Sequence, residues 1–270
     1  VRDRPAGALC PCLDALCANL PVESALAFLA EEGFRAVEFW DWRGRDIDRL
    51  ARQADALGLD VVAFSGTTFE EPLLDPAGHE AALAHLRRSL EVAGRLGTRL
   101  LVVHVGYAQS HRSRASQWEA AVAGLRRAGE LARAAGVTLL VEPLNSLVDH
   151  PAYFLDTLPD ALAMLEAVDH PAVGLLLDVY HMWIMHDDLL HRLEGVVPRT
   201  AHVHVADVPG RGEPGSGVIP WRDVLRRLED GGYRGALGLE CWPTASLAAA
   251  LHRARQVLEP RDGRAMGGSG

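Results

Sequence analysis

Four short apolar runs in the second half of the chain each lead into an ionisable side chain. Leu139-Leu140-Val141 runs into Glu142, Leu175-Leu176-Leu177 into Asp178, Val203 into His204, and Leu237-Gly238-Leu239 into Glu240. A carboxylate at the end of an apolar strand is costly to strip of water unless something compensates its charge. Three of them brought to one place would repel one another, and a bound divalent cation resolves that conflict. Three carboxylates with one imidazole make an oxygen-rich, mixed donor set, which suits Mg2+ or Mn2+, with Co2+ or Zn2+ as weaker fits. The bland alternative is a set of structural ion pairs with arginines. Four such groups in succession favour the metal site.

Two further residues could touch a substrate beside such a site. His181 lies three positions after Asp178, where it could serve as a substrate hydrogen-bond donor, a fifth ligand or a plain loop histidine; the first role is preferred. Arg211 sits in the stretch Asp207 to Pro220, which holds three prolines and four glycines. A loop so composed is stiff, and its arginine can reach over the site towards an anionic substrate oxygen. The competing role for Arg211 is a salt bridge to Glu213. His202 has the parity of His204 but lies deeper and reads as a satisfied core histidine, while His104 is ambiguous. Trp40, Trp42, Trp183 and Trp242 fall near strand ends, as walls of a sugar-sized pocket or as packing beneath loops.

The elements that must carry these residues alternate regularly. Apolar runs at 35–40, 59–65, 99–106, 137–144, 173–178, 200–206 and 236–242 are separated by stretches with helical spacing, among them 45–57, 79–96, 114–135, 157–168 and 220–230. Gly33, Gly58, Gly97, Gly136 and Gly235 punctuate the return from helix to strand, as left-handed helix caps do. An opening strand at 8–13 followed by a helix from Val22 to Glu32 completes eight units, although Pro11 lacks a ladder donor. Eight alternations with almost continuously apolar strands predict an α/β fold, a single-domain (β/α)8 TIM barrel over residues 1–260 with a polar, Gly-rich tail at 261–270. An open doubly wound sheet would favour a Gly-rich phosphate turn, and neither a G-x-G-x-x-G nor a Walker loop is present. In a barrel, reacting groups stand at the C-terminal ends of the strands, which is where all four candidate ligands fall.

Composition narrows the partners. The 270 residues are 49% hydrophobic and 23% charged, with a net charge of −9. Such acidity argues against a nucleic-acid or anionic-membrane surface, either of which needs a basic face. No apolar run reaches the length of a membrane span, and no basic-then-apolar leader opens the chain, so a cytoplasmic location is expected. Cys10, Cys12, Cys17 and Cys241 fit no disulfide framework or paired zinc motif and read as reduced thiols. The expected partner is a small molecule, and a homo-oligomer stays open.

From Val37-Glu38-Phe39 onward the chain resembles the hydroxypyruvate isomerase family, within the wider group of xylose isomerase-like barrels. The resemblance is carried by E-P-L-N at 142–145, D-V-Y-H-M at 178–182 and A-D-V-P-G-R-G-E-P-G-S-G at 206–217. It implies that Glu142 and Glu240 form an acid–base pair that also holds the metal, with Asp178 and His204 completing the metal site. Two positions depart from the pattern. The isomerases often carry Gln where this chain has His204, whereas ketose 3-epimerases carry His there; the residue before Ile219, often Glu or His in those two groups, is Val218. The resemblance implies a metal-dependent isomerisation through an enediolate, hydroxypyruvate to tartronate semialdehyde, acting on an α-hydroxy ketone or keto acid. The alternatives are a ketose 3-epimerase, an inosose isomerase or dehydratase, and a non-catalytic sugar-binding barrel.

Overall fold

Runs such as Leu139-Leu140-Val141 become strands covered on both faces, by the barrel interior on one side and by helices on the other. The computed structural model describes residues 7–259; the tail expected at 261–270 lies outside them. The strand segments are β1 (Leu9–Pro11), β2 (Ala36–Val37), β3 (Asp60–Val61), β4 (Ala63–Ser65), β5 (Leu100–Val103), β6 (Thr138–Val141), β7 (Val173–Asp178), β8 (Thr200–Val205) and β9 (Leu237–Leu239). The helices are α1 (Val22–Glu31), α2 (Ile47–Leu57), α3 (His79–Leu96), α4 (Arg114–Ala135), α5 (Leu158–Val168), α6 (Val179–Met185), α7 (Leu189–Val196), α8 (Trp221–Asp230) and α9 (Leu247–Leu258).

Seven segments form one parallel sheet in the order β1-β9-β8-β7-β6-β5-β4, and β2 pairs with β3. β3 and β4 are two ends of one stave, parted at Val62, whose N–H still donates to Val37 O at 2.8 Å. A parallel bridge between Cys12 and Glu38 joins β1 to the chain leaving β2 and closes a barrel of eight staves. Pro11 does not prevent the opening strand. Its carbonyl accepts from Glu38 N at 3.1 Å, and Cys12 N reaches Leu239 O at 3.2 Å, so the ladder continues on both sides.

Gly58, Gly97 and Gly136 end α2, α3 and α4 in the left-handed region, at φ 71°, 69° and 68°. Gly235 does not act this way. After α8 the left-handed residue is Gly232, at φ 85°, whereas Gly235 permits a close approach, since a Cβ there would lie 2.4 Å from the Tyr233 hydroxyl. Between β7 and β8 the chain forms two short helices, α6 and α7, in place of one long one.

Side chains alternate along each stave, so the residue two positions before each rim residue also faces the interior. Leu140 lies below Glu142, Leu176 below Asp178, His202 below His204 and Gly238 below Glu240. Val102, Leu140 and Leu176 pack together as an apolar plug. The outer core, including Leu26, Leu29, Leu83, Leu86, Leu125 and Leu165, seals the helices onto the staves. All four cysteines are buried, and none is in a disulfide. No helix among the described residues is long and apolar enough to cross a membrane.

Candidate active site

Neighbouring staves deliver the four rim groups to one point. Glu142 follows β6 directly, Asp178 ends β7 and caps α6, His204 lies in β8, and Glu240 follows β9. One ligand atom from each lies within 4.8 Å of the others. Glu142, Asp178, His204 and Glu240 are only 5%, 1%, 4% and 6% exposed, so their charges must be answered locally.

Asp178 Oδ1 accepts from the backbone N–H of Tyr180 at 2.8 Å and His181 at 3.2 Å. That leaves Oδ2 facing the cluster. Glu240 Oε1 accepts from Trp40 Nε1, and Oε2 from Arg211 Nη2. His204 Nδ1 stands 3.4 Å from Glu240 Oε2 and 3.6 Å from Glu142 Oε1. Neither Glu142 Oε1 nor His204 Nδ1 has a hydrogen bond of normal geometry, although both are buried. Unanswered donor atoms on an imidazole and a carboxylate, beside two further carboxylates, fit a divalent cation. All four residues expected as ligands are therefore brought together.

The electrostatics separate the two glutamates. Burial pushes the Glu142 carboxyl up to about 7, helped by the charges of Glu240 and Asp178. Burial also opposes ionisation of Glu240, but Arg211 and His204 outweigh it and hold that carboxyl well below the usual range. Asp178 is raised by burial despite Arg211. Burial works against a charged His204, yet Glu38 and Glu240 raise its pKa well above the ordinary value. Two carboxylates pushed apart in this way suit complementary acid and base roles.

Arg211 reaches over the site, lines the cavity and does not take up the competing role. Its guanidinium does not pair with Glu213; it lies against Asp178, at 3.3 Å, and Glu240, between the rings of Tyr180 and Trp242. Glu213 instead binds Thr244 N and Oγ1 and Arg253. The loop is gathered by Asp207, whose carboxylate accepts from Val208 N, Gly215 N, Ile219 N and Trp221 Nε1 at 2.8–3.0 Å. Gly217 is needed for this close folding, since a Cβ there would meet Val208 O at 2.1 Å.

His181 is buried and lines the cavity. Its Nδ1 accepts from Asn145 N at 3.2 Å and Asn145 Nδ2 at 2.7 Å, which leaves the proton on Nε2, 3.6 Å from Asp178 Oδ2. Burial keeps the ring neutral, with its pKa well below the ordinary histidine value. His202 bonds Glu38 at 2.8 Å as a core residue. His104 stacks on Phe69 with ring centroids 4.0 Å apart, and burial lowers its pKa to about 4. Of the four tryptophans, Trp40 and Trp242 line the cavity, whereas Trp42 and Trp183 pack against the core. The cavity above the cluster is about 400 Å3. Sequence reasoning did not single out Glu38, Asn145, Phe69 or His150 as site residues. Asn145 and Glu38 carried a local signal, in the E-P-L-N run and in Val37-Glu38-Phe39.

Residues 26–260 match the model of a xylose isomerase-like TIM barrel. A protein named as a putative hydroxypyruvate isomerase from Streptomyces coelicolor is 32% identical over 250 residues, covering 86% of this chain and 89% of that one. One of the same name from Danio rerio is 36% identical over 124 residues, 46% of this chain and 45% of that protein, so there the chain spans under half of the relative's length. A crystal structure described as an AP endonuclease of family 2 from Brucella melitensis superposes with a TM-score of 0.84 at 28% identity, covering 92% of this chain and 97% of that one.

Proposed function

The chain belongs to the xylose isomerase-like TIM barrel family, and from that premise we propose that it is a divalent-metal-dependent isomerase converting hydroxypyruvate to tartronate semialdehyde. The convergence of Glu142, Asp178, His204 and Glu240 on one buried point carries this reading. These four side chains would hold one Mg2+ or Mn2+ ion, which when bound polarises a carbonyl and stabilises negative charge on the neighbouring oxygens.

The remaining work falls to the chain's own groups. Glu240, held ionised by the Arg211 guanidinium, takes a proton from C3 of the substrate. Glu142, across the cluster from it, gives one to C2. The hydroxyl proton passes from O3 to O2, which balances the conversion, and the two glutamates reset by exchange with solvent. His181 donates through Nε2 to a substrate oxygen, and Arg211 turns one edge of its fork to the substrate carboxylate. Trp242 and Trp40 wall the mouth and limit water.

A ketose 3-epimerase is the second reading, favoured by His204 and by a cavity of about 400 Å3 with a ring-lined wall at Phe69 and His150. An endonuclease is disfavoured by the single histidine in the cluster and by the net charge of −9. Turnover of hydroxypyruvate and of ketohexoses should be measured after chelation and after restoring Mg2+ or Mn2+. The proposal expects metal-dependent loss of hydroxypyruvate, falling by a factor of about 100 or more in Glu142→Gln and in Glu240→Gln. Good epimerisation of ketohexoses with hydroxypyruvate untouched gives the second reading instead.

A further inference from the structure

Behind the four rim groups the barrel interior holds another carboxylate, which the proposed chemistry does not use. Glu38 is 3% exposed and stands where the chain leaves β2, beside the Cys12 bridge that closes the barrel. A carboxylate this deep is tolerated only when its charge is answered locally. Its Oε2 lies 2.8 Å from His202 Nε2, and its Oε1 lies 3.4 Å from His204 Nε2. The Glu38–His202 contact has hydrogen-bond length, whereas the Glu38–His204 contact is a longer, electrostatic one.

The facing stave is shaped around this contact. At Gly238 a Cβ would lie 2.3 Å from Glu38 Oε1 and 2.6 Å from His204 Cδ2. Any side chain there would occupy the space in which the two groups meet. Neither ring nitrogen of His204 makes a hydrogen bond of normal geometry: Nε2 faces Glu38 Oε1 at 3.4 Å, and Nδ1 faces Glu142 and Glu240.

We infer that Glu38 is a positioning residue: its carboxylate, facing Nε2 of His204 at 3.4 Å, orients the ring so that Nδ1 is the nitrogen offered to the cation. His202 holds the second oxygen of Glu38, and Gly238 keeps the space between them open. A carboxylate behind a ligating imidazole sets the ring's orientation and raises its basicity, and removing such a partner typically weakens metal binding ten- to a hundredfold. The inference rests on the reading of Glu142, Asp178, His204 and Glu240 as a metal site.

The test is calorimetric titration of Mn2+ into metal-stripped wild type and Glu38→Gln, with the visible absorption of the Co2+ forms and the metal-free thermal midpoints recorded alongside. Gln offers one acceptor oxygen where two N–H groups need one each. The expected result is Mn2+ binding weakened by roughly ten- to a hundredfold and an altered Co2+ spectrum, in a protein that still unfolds in one cooperative step when metal-free, at a midpoint lowered by the N–H left without an acceptor. If Glu38→Gln does not fold, Glu38→Asp keeps the charge, withdraws it from His204 and should show the same loss. Affinity within twofold of wild type and an unchanged Co2+ spectrum overturn the role of Glu38 while leaving the metal site standing. Failure of the wild type itself to bind Mn2+ or Co2+ overturns both.

Discussion

Arg211 answers the charge of Asp178 and Glu240 while its fork lies between Tyr180 and Trp242, at 5.2 and 5.3 Å from the ring centroids. One side chain thus serves both the acidic cluster and the mouth of the cavity. A charge-assisted arginine–carboxylate contact is worth about 1.5–3 kcal/mol, or roughly ten- to a hundredfold in selectivity. Arg211→Ala should therefore lower kcat/KM for hydroxypyruvate by about that factor more than it lowers turnover of any neutral ketose. Arg211→Lys should recover only part of the loss, because it restores the charge without the planar fork. Equal losses on charged and neutral substrates would assign Arg211 to the cluster alone.

At the scale of elements, the loop after β8 shows how one carboxylate can organise fourteen residues. Asp207 gathers three backbone N–H groups and the Trp221 indole, and Asp207 N donates to Gly212 O at 2.8 Å. Arg211 adopts φ 56° inside this loop, and its carbonyl receives Trp242 N at 2.9 Å. The loop is thereby tied to the stave that carries Glu240. Asp207→Asn places an amide N–H against donors that need an acceptor. It should cost about 1.5–3 kcal/mol in urea unfolding and reduce hydroxypyruvate turnover together with Arg211. A change below about 0.5 kcal/mol would mean that the prolines and glycines hold the loop unaided.

For the whole molecule, the site is a ring of staves closed on a cluster of like charges, so a cation should stabilise the fold as well as serve the chemistry. A ligand that binds only the folded chain, present at a hundred times its Kd, adds about 2.7 kcal/mol. For a domain of this size that is a rise of roughly 5–10 °C in Tm. Heating the stripped protein with and without Mn2+ checks this. Glu142→Gln, which keeps an oxygen for the ion but loses a charge, should show a smaller rise. A midpoint indifferent to Mn2+, Mg2+ and Co2+ alike would count against any cation at this point.

The alternation of apolar runs and amphipathic stretches determined the barrel by itself, because strand and helix periods are local properties of the chain. Glu142, Asp178, His204 and Glu240 were legible for the same reason: each adjoins its own apolar run, and strands in a barrel present their C-terminal ends on one face. What stands behind and around them was decided only by closure of the staves. Glu38 meets His202 across 164 positions, and Trp40 meets Glu240 across 200. No local pattern announces either pairing, since both depend on the register between staves that are distant in sequence. Arg211 illustrates the boundary. Its loop was recognisable from composition, but its contact with Asp178 and Glu240 in place of Glu213 follows from where β7, β8 and β9 stand side by side. Register in three dimensions, set by the closed ladder of backbone hydrogen bonds, decides which charges become neighbours.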